Sequence, residues 1–519
     1  MWILCDNQRV DEAVPRHGGH ILRTDTPDHP DFADAIPNPG ASTVSADLCK
    51  AEVAGLSQIE TADKDIESLV AHAGVETNRD LHRVVWQLAW PSVLAMMLQT
   101  LNSFMDRGFV GRLGPDALAA VGVGSQLMFV VFSFGMSISV GATALVARFT
   151  GEGNKDEARV AGNQALWIAA MMAVVTVLLM LALCHTAVHF MRLEPSAAVL
   201  CEKYIRLSLI GVPGLFVMLI LIGVYRGIGD TVTVLLVSIA VNIVHLSGDF
   251  LLIFGNFGAP RLGLSGGAIA LVTSQYVGGL LYILLLARSP LAGMVRRKAT
   301  LEMEWAKRIL NVGIPAAVQN VSRVLSLIAF TAVLARSADA TMAVAALTIG
   351  LTSESIAFMP GFGFSVAAST LTGQNLGAKR PDRAENAAWA ALLQGLVVMS
   401  IMGIVFYIFA EQFAHIFTHD KHVVHLAVKY LRISAFAEPF LAFGMILTGA
   451  LNGAGDTRAP AVAGFLTMWG LRLPMAYVLA ITLGFGATGA WWALATSTTV
   501  LGFVSYGMFK FGHWKQVRV

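Results

Sequence analysis

SVGATALVARFTGEGNKDEAR at residues 139–159 returns as SVAASTLTGQNLGAKRPDRAE at 365–385, an offset of 226 positions. YIRLSLIGVPG at 204–214 and YLRISAFAEPF at 430–440 keep the same offset. So do RGIGDT at 226–231 and NGAGDT at 452–457, while Pro91 and Pro315 lie 224 apart. One offset shared by separate blocks marks a duplication: the chain carries two tandem copies of one unit.

The unit belongs in a bilayer. Of 519 residues, 55% are hydrophobic and only 13% charged, against roughly 25% charged in a soluble domain. The mean hydropathy is +0.65. Such a surface faces lipid. Past residue 80, apolar runs long enough to cross about 30 Å of hydrocarbon follow one another. They fall near 84–110, 116–147, 160–188, 199–226, 232–256, 265–288, 306–336, 340–372, 385–410, 426–452, 459–484 and 488–510. Continuous runs of this length satisfy their backbone in lipid only as helices. The expected fold is therefore an all-α membrane protein of twelve transmembrane helices in two six-helix lobes. Six is even, so the copies share a topology and should be related by an axis along the membrane normal.

Domain limits follow from composition. Residues 1–80 are polar, without an apolar core segment, and read as a disordered extension or as the product of a start codon assigned upstream of the true one. The first lobe is placed at 81–290, a basic linker at 291–308 and the second lobe at 309–519. Loops on the side of the termini carry Arg148, Lys155, Arg159, Arg226, Arg288, Arg296, Arg297, Lys298, Lys307, Arg308, Lys379, Arg380, Arg383 and Arg458. The opposite loops carry Arg112, Arg192, Arg261, Arg336 and Lys421. The positive-inside rule then puts both termini in the cytoplasm. Cys5, Cys49, Cys184 and Cys201 form no CxxC pair and read as free thiols, and a net charge of +2 gives no case for nucleic acid.

The repeated blocks sit among stretches that resemble the multidrug and toxic compound extrusion family. These are PSVLAMMLQTLNSFMDRGFVGRLGPDALAAVG from 91, GATALVARFTGEGNKDEA from 141, YRGIGDT from 225 and NIVHLSGDFLLIFG from 242. In the second half they are PGFGFSVAASTLTGQNLGA from 360 and ALNGAGDTRAP from 450. The likeness spans roughly residues 80–510. It implies a V-shaped pair of lobes exporting organic cations or amphiphiles across a bacterial inner membrane, driven by inward proton or sodium flow. No cofactor, no bound metal and no ATP are expected, and the chain is expected to act as a monomer amid membrane lipid.

A charge inside the bilayer is a functional candidate by default. Gln99, Asn102 and Asp106 are spaced i, i+3, i+7, and Asn242, His245 and Asp249 repeat that spacing. Each set lies on one helical face, so two polar stripes, each ending in an acid, suggest one hydrophilic pocket in the first lobe. A carboxyl group taken out of water can bind and release a proton near neutral pH. Asp106 and Asp249 match the cation-site acids of the family's DNA-damage-inducible-like branch. His245 stands where that pattern has Asn, which favours protons over Na⁺. Arg107 follows Asp106 directly and should point about 100° away from it.

The second copy lacks both acids, with Phe330 and Met475 at the matching positions. Its membrane charges are Glu354 and Glu438, candidates for coupling or substrate contact, and Arg323 and Arg472, read as structural ion pairs. The GxGD motifs also mark intramembrane aspartyl proteases. Asp230 with Thr231 and Asp456 with Thr457 read instead as turn and N-cap residues. No Walker lysine follows the glycines. His415, His419, His422 and His425 read as a solvated loop rather than a metal site. The rival within transport is a flippase for a lipid-linked precursor, which would want a basic groove.

Overall fold

The computed structural model describes residues 78–191, 193–296, 301–337 and 339–517. Residues 1–77, which make up nearly all of the expected extension, lie outside them, as does part of the linker, 297–300. The first helix already starts at Asn78.

The first-copy spans are Asn78–Gly111, Pro115–Gly151, Lys155–Phe190, a broken fourth span of Pro195–Leu209 and Val212–Ile228, Thr231–Phe254 and Leu264–Leu286. The second-copy spans are Met303–Leu334, Ala340–Gly377, Pro381–Ile408, Lys421–Ala454, Arg458–Thr482 and Gly486–Phe511. A short helix, Ala410–Phe417, joins the ninth and tenth. Among the described residues ten helices are individually long and apolar enough to cross a membrane, and the bent fourth makes eleven. The twelfth, 26 residues and about 39 Å long, is diluted by hydroxyl residues. Those hydroxyls turn inward: Ser497 and Thr498 donate to the Leu494 carbonyl and Thr499 to that of Ala495, at 2.8–3.0 Å. These three hydroxyls are thus satisfied within their own helix.

The duplication is visible atom by atom. Ser139 Oγ donates to the Leu219 carbonyl at 2.6 Å, and Ser365 Oγ donates to that of Met445 at 2.9 Å. Gly223 rests on Ser139 as Gly449 rests on Ser365, with no room for a Cβ. Small residues let helix backbones approach closely where burial itself drives little. The copies differ at their matching prolines. Gly211 precedes Pro213, and the fourth span bends by 54° there. Ala437 precedes Pro439, and the tenth span runs through.

The lobes exchange helix starts. Val85, Leu88 and Ala89 of the first span are buried in the second lobe's core beside Phe364, Ala388 and Ile446. Trp305, Ala306 and Ile309 of the seventh are buried in the first lobe's core. Where the second and eighth spans end, Gly151 abuts the Gln374 carbonyl and Gly377 abuts the Arg148 carbonyl. These two contacts are the same contact related by the 226-residue offset, so the pseudo-twofold axis passes between them. Thr370 and Gln374 add hydrogen bonds to the Arg226 and Gly227 carbonyls, both at 2.9 Å. The lobes are thus sealed together at the end that bears the termini. The furthest described hydrogen bond between them toward the other end joins Thr100 and Met359 near mid-depth.

Candidate functional site

In the first lobe, the far half of the first span leans on the fifth. This brings Asp106, His245 and Asp249 together, with one ligand atom of each within 4.8 Å of the others. Asn102 Nδ2 lies 2.8 Å from His245 Nδ1. His245 Nε2 faces Asp249 Oδ2 at 3.6 Å, one helical turn away. Asp249 is wholly buried, and neither of its oxygens has a hydrogen-bond partner. Asn102 Oδ1 is likewise buried without one. A buried carboxylate without donors is costly, so this group must be neutralised by a proton or a cation, and that cost is what makes the cluster chemically usable.

Two residues expected here stay outside. Gln99 is exposed, and Asn242 donates back to the Ser238 carbonyl at 2.7 Å. Arg107 is exposed and, among the described ion pairs, makes none with Asp106. The spacing put all three stripe members on one face, but only the two nearest the helix crossing reach the partner helix.

Tyr204 had escaped the sequence reading. It lies within electrostatic reach of both Asp106 and Asp249, its ring resting on Gly124. Tyr430, its counterpart in the repeat, rests on Gly350 and donates its hydroxyl to Glu354 Oε2 at 2.7 Å. The signal was in the YIRL and YLRI blocks, whose tyrosines repeat while the acids do not. Arg226 was placed in a loop by sequence and is instead buried at the closed end, 5.7 Å from the Phe362 ring.

In the second lobe Glu438 is wholly buried, with both oxygens unpartnered. Arg472 donates through Nε to Ser497 Oγ at 2.8 Å, from a widened turn of the eleventh span, Leu466–Arg472. Arg323 stacks 5.5 Å above the Phe358 ring. Among the described residues neither arginine has a carboxylate within 4.0 Å, so the expected ion pairs are not formed in this conformation; a hydroxyl and an aromatic face take their place. Phe330, opposite Asp106 in the repeat, is simply core.

The GxGD turns are structural in geometry. Gly229 and Gly455 take left-handed φ of 92° and 89° and end one helix. Asp230 Oδ1 then accepts the Thr233 amide at 2.8 Å, and Asp456 Oδ1 accepts that of Ala459 at 3.4 Å. Thr231 is buried, and Thr457 donates to the Val312 carbonyl at 2.8 Å. Of the loop histidines, His415 lies 3.9 Å from Glu411 and His422 3.9 Å from Asp339, all exposed.

A model of the MatE family matches residues 91–251 and 315–478, one stretch in each copy. The chain belongs to the MatE family. Members of this family are secondary transporters, not enzymes, so the GxGD turns belong to a transporter scaffold. The "Probable multidrug resistance protein NorM" of Thermotoga maritima is 29% identical over 84% of this chain and 94% of its own length. The "Uncharacterized transporter YisQ" of Bacillus subtilis is 27% identical over 83% and 95%. Among solved structures, an outward-facing multidrug resistance MATE transporter superposes with a TM-score of 0.78 at 22% identity, over 83% of this chain and 95% of that one. This MatE protein thus shares the family's twelve-helix, two-lobe architecture.

Proposed function

We propose that this chain is a proton-driven antiporter exporting drugs, organic cations or amphiphilic metabolites by alternating access. It acts as a monomer in a bacterial inner membrane, with both termini in the cytoplasm. The observation that carries the reading is the Asp106–His245–Asp249 cluster, where a wholly buried carboxylate has no hydrogen-bond donor. In this reading the sealed, terminus-bearing end is cytoplasmic, and the acids take up protons from the outside. Neutralising Asp249 removes its desolvation penalty and lets the first and fifth spans repack. Repacking weakens the hold on substrate facing out, and inward opening releases the proton. Imidazole in the donor set favours the proton over Na⁺, which prefers an all-oxygen shell. Glu354 and Glu438 are then substrate or secondary coupling contacts.

Asp106→Asn and Asp249→Asn are each expected to abolish drug efflux from cells at normal expression. Unchanged efflux in both would remove the cluster from the mechanism. In proteoliposomes a pH gradient alone should drive transport, and a sodium gradient alone should not.

A further inference from the structure

We propose that the Asp106–His245–Asp249 cluster is also a binding site for a divalent transition-metal cation of the Zn²⁺, Co²⁺ or Ni²⁺ class, which competes there with protons. The proposal shares the site with the coupling reading, but metal binding is measured without transport, so each can fail alone.

The donor set argues for the metal class. Two carboxylates and a neutral imidazole carry two negative charges, so a divalent ion makes the buried site neutral, while a monovalent ion leaves a net charge in low dielectric. Imidazole with carboxylate suits first-row transition metals, whereas Mg²⁺ demands oxygen ligands and octahedral geometry. Spacing agrees. Bonds of about 2.0–2.1 Å at tetrahedral angles put neighbouring ligand atoms about 3.3 Å apart. His245 Nε2 and Asp249 Oδ2 are 3.6 Å apart, and Asp106 needs only to draw in from within 4.8 Å.

The surroundings supply what a metal-bound histidine needs. Such a histidine donates its other ring N–H to an oxygen, which fixes the tautomer. His245 Nδ1 lies 2.8 Å from the Asn102 amide, whose Oδ1 is buried and unpartnered. Turning that amide over lets Nδ1–H donate to Oδ1 and leaves the Nε2 lone pair for the ion. The same turn satisfies the orphaned oxygen, and Asp249's two unpartnered oxygens become ligands.

The test uses the full chain, purified in detergent, with His415, His419, His422 and His425 changed to Gln so that the loop cannot bind. Co²⁺ titration should show one ion per chain with visible d–d bands, displaced by Zn²⁺ and not by Mg²⁺. Binding should weaken as pH falls. His245→Ala and Asp249→Asn should abolish the bands, and Asn102→Ala should weaken binding about 10- to 100-fold. Size-exclusion profiles confirm that each variant is folded. Absence of the bands in the parent chain, or their persistence in both folded ligand variants, would overturn the proposal.

A separate observation carries a second inference: the geometry points to the C-terminal tail as a strap across the closed end. Trp514 is buried, stacked on Phe509 at 4.7 Å, with Nε1 donating to the Phe509 carbonyl at 2.6 Å. Lys515 Nζ reaches Glu385 Oε2 at 2.5 Å. Both anchors are in the second lobe. Arg148, on the first lobe, then donates to the Val517 carbonyl at 3.2 Å. Separating the lobes at this end breaks that bond. With spin labels on the two lobes at the closed end, Arg148→Gln and truncation after His513 should each raise the open-to-closed ratio about fivefold, the size of one hydrogen bond. An unchanged distance distribution in both folded variants would refute the strap.

Discussion

Asp420 shows how single residues set helix ends here and how pH acts on them. It precedes the tenth span, and its Oδ1 accepts the backbone amides of His422 and Val423, both at 2.9 Å. Those two bonds, Val423's first, hold its carboxyl below the ordinary value of 3.8. A depressed native pKa gives stability that is present above the ordinary value and lost as pH falls through the native one. Asp420→Ala should therefore melt below the parent at neutral pH and match it well below pH 3.8; thermal unfolding followed by tryptophan fluorescence reads this, and a gap that stays constant with pH would refute the cap. Asp106, His245 and Asp249 were legible at this scale because 3.6-residue periodicity alone assigns faces. Gln99 and Asn242 passed the same test and sit apart. Periodicity cannot say where along a face two helices cross.

Glycines decide the geometry between elements. Gly151 and Gly377 let the second and eighth spans meet backbone to backbone on the pseudo-twofold axis. Gly377→Val would drive a branched side chain into the Arg148 carbonyl, an overpacking cost of about 1–3 kcal/mol charged to the closed form alone. The expected outcome is a shift toward conformers open at the terminus-bearing end, read as faster labelling of a cysteine placed beside Gly373; labelling at the parent rate would show that the contact does not matter. The duplicated prolines were legible as matched positions of the repeat, within spans expected to run unbroken. Which of them bends was not, because the bend depends on Gly211 having no Cβ beside Gln275 and Val272, where Ala437 has one.

Across the whole molecule, each lobe completes its core with the start of a helix from the other copy. Neither half should then be stable alone. If the chain is split within 297–300 and the halves are co-expressed, they should co-purify as a folded complex, while each expressed singly should aggregate; size-exclusion chromatography in detergent distinguishes the cases, and a monodisperse single half would contradict the exchange. The exchange also links the two lobes through one helix. The first span is held by the second lobe at one end and carries Asp106 to the first lobe's fifth span at the other.

Composition, run length and a 226-residue offset were enough for the membrane, the twelve helices and the twofold scaffold, because each is written in local periodicity and repetition. The acids of the first lobe were legible for the same reason: lipid makes any charge conspicuous. Tertiary structure alone decided which stripe residues converge, that the Tyr204 ring rests on Gly124, that Arg472 meets a serine rather than a carboxylate, and that the first and seventh spans cross between lobes. These depend on where helices cross and how closely their glycines let them approach, and such distances arise only once the chain is packed.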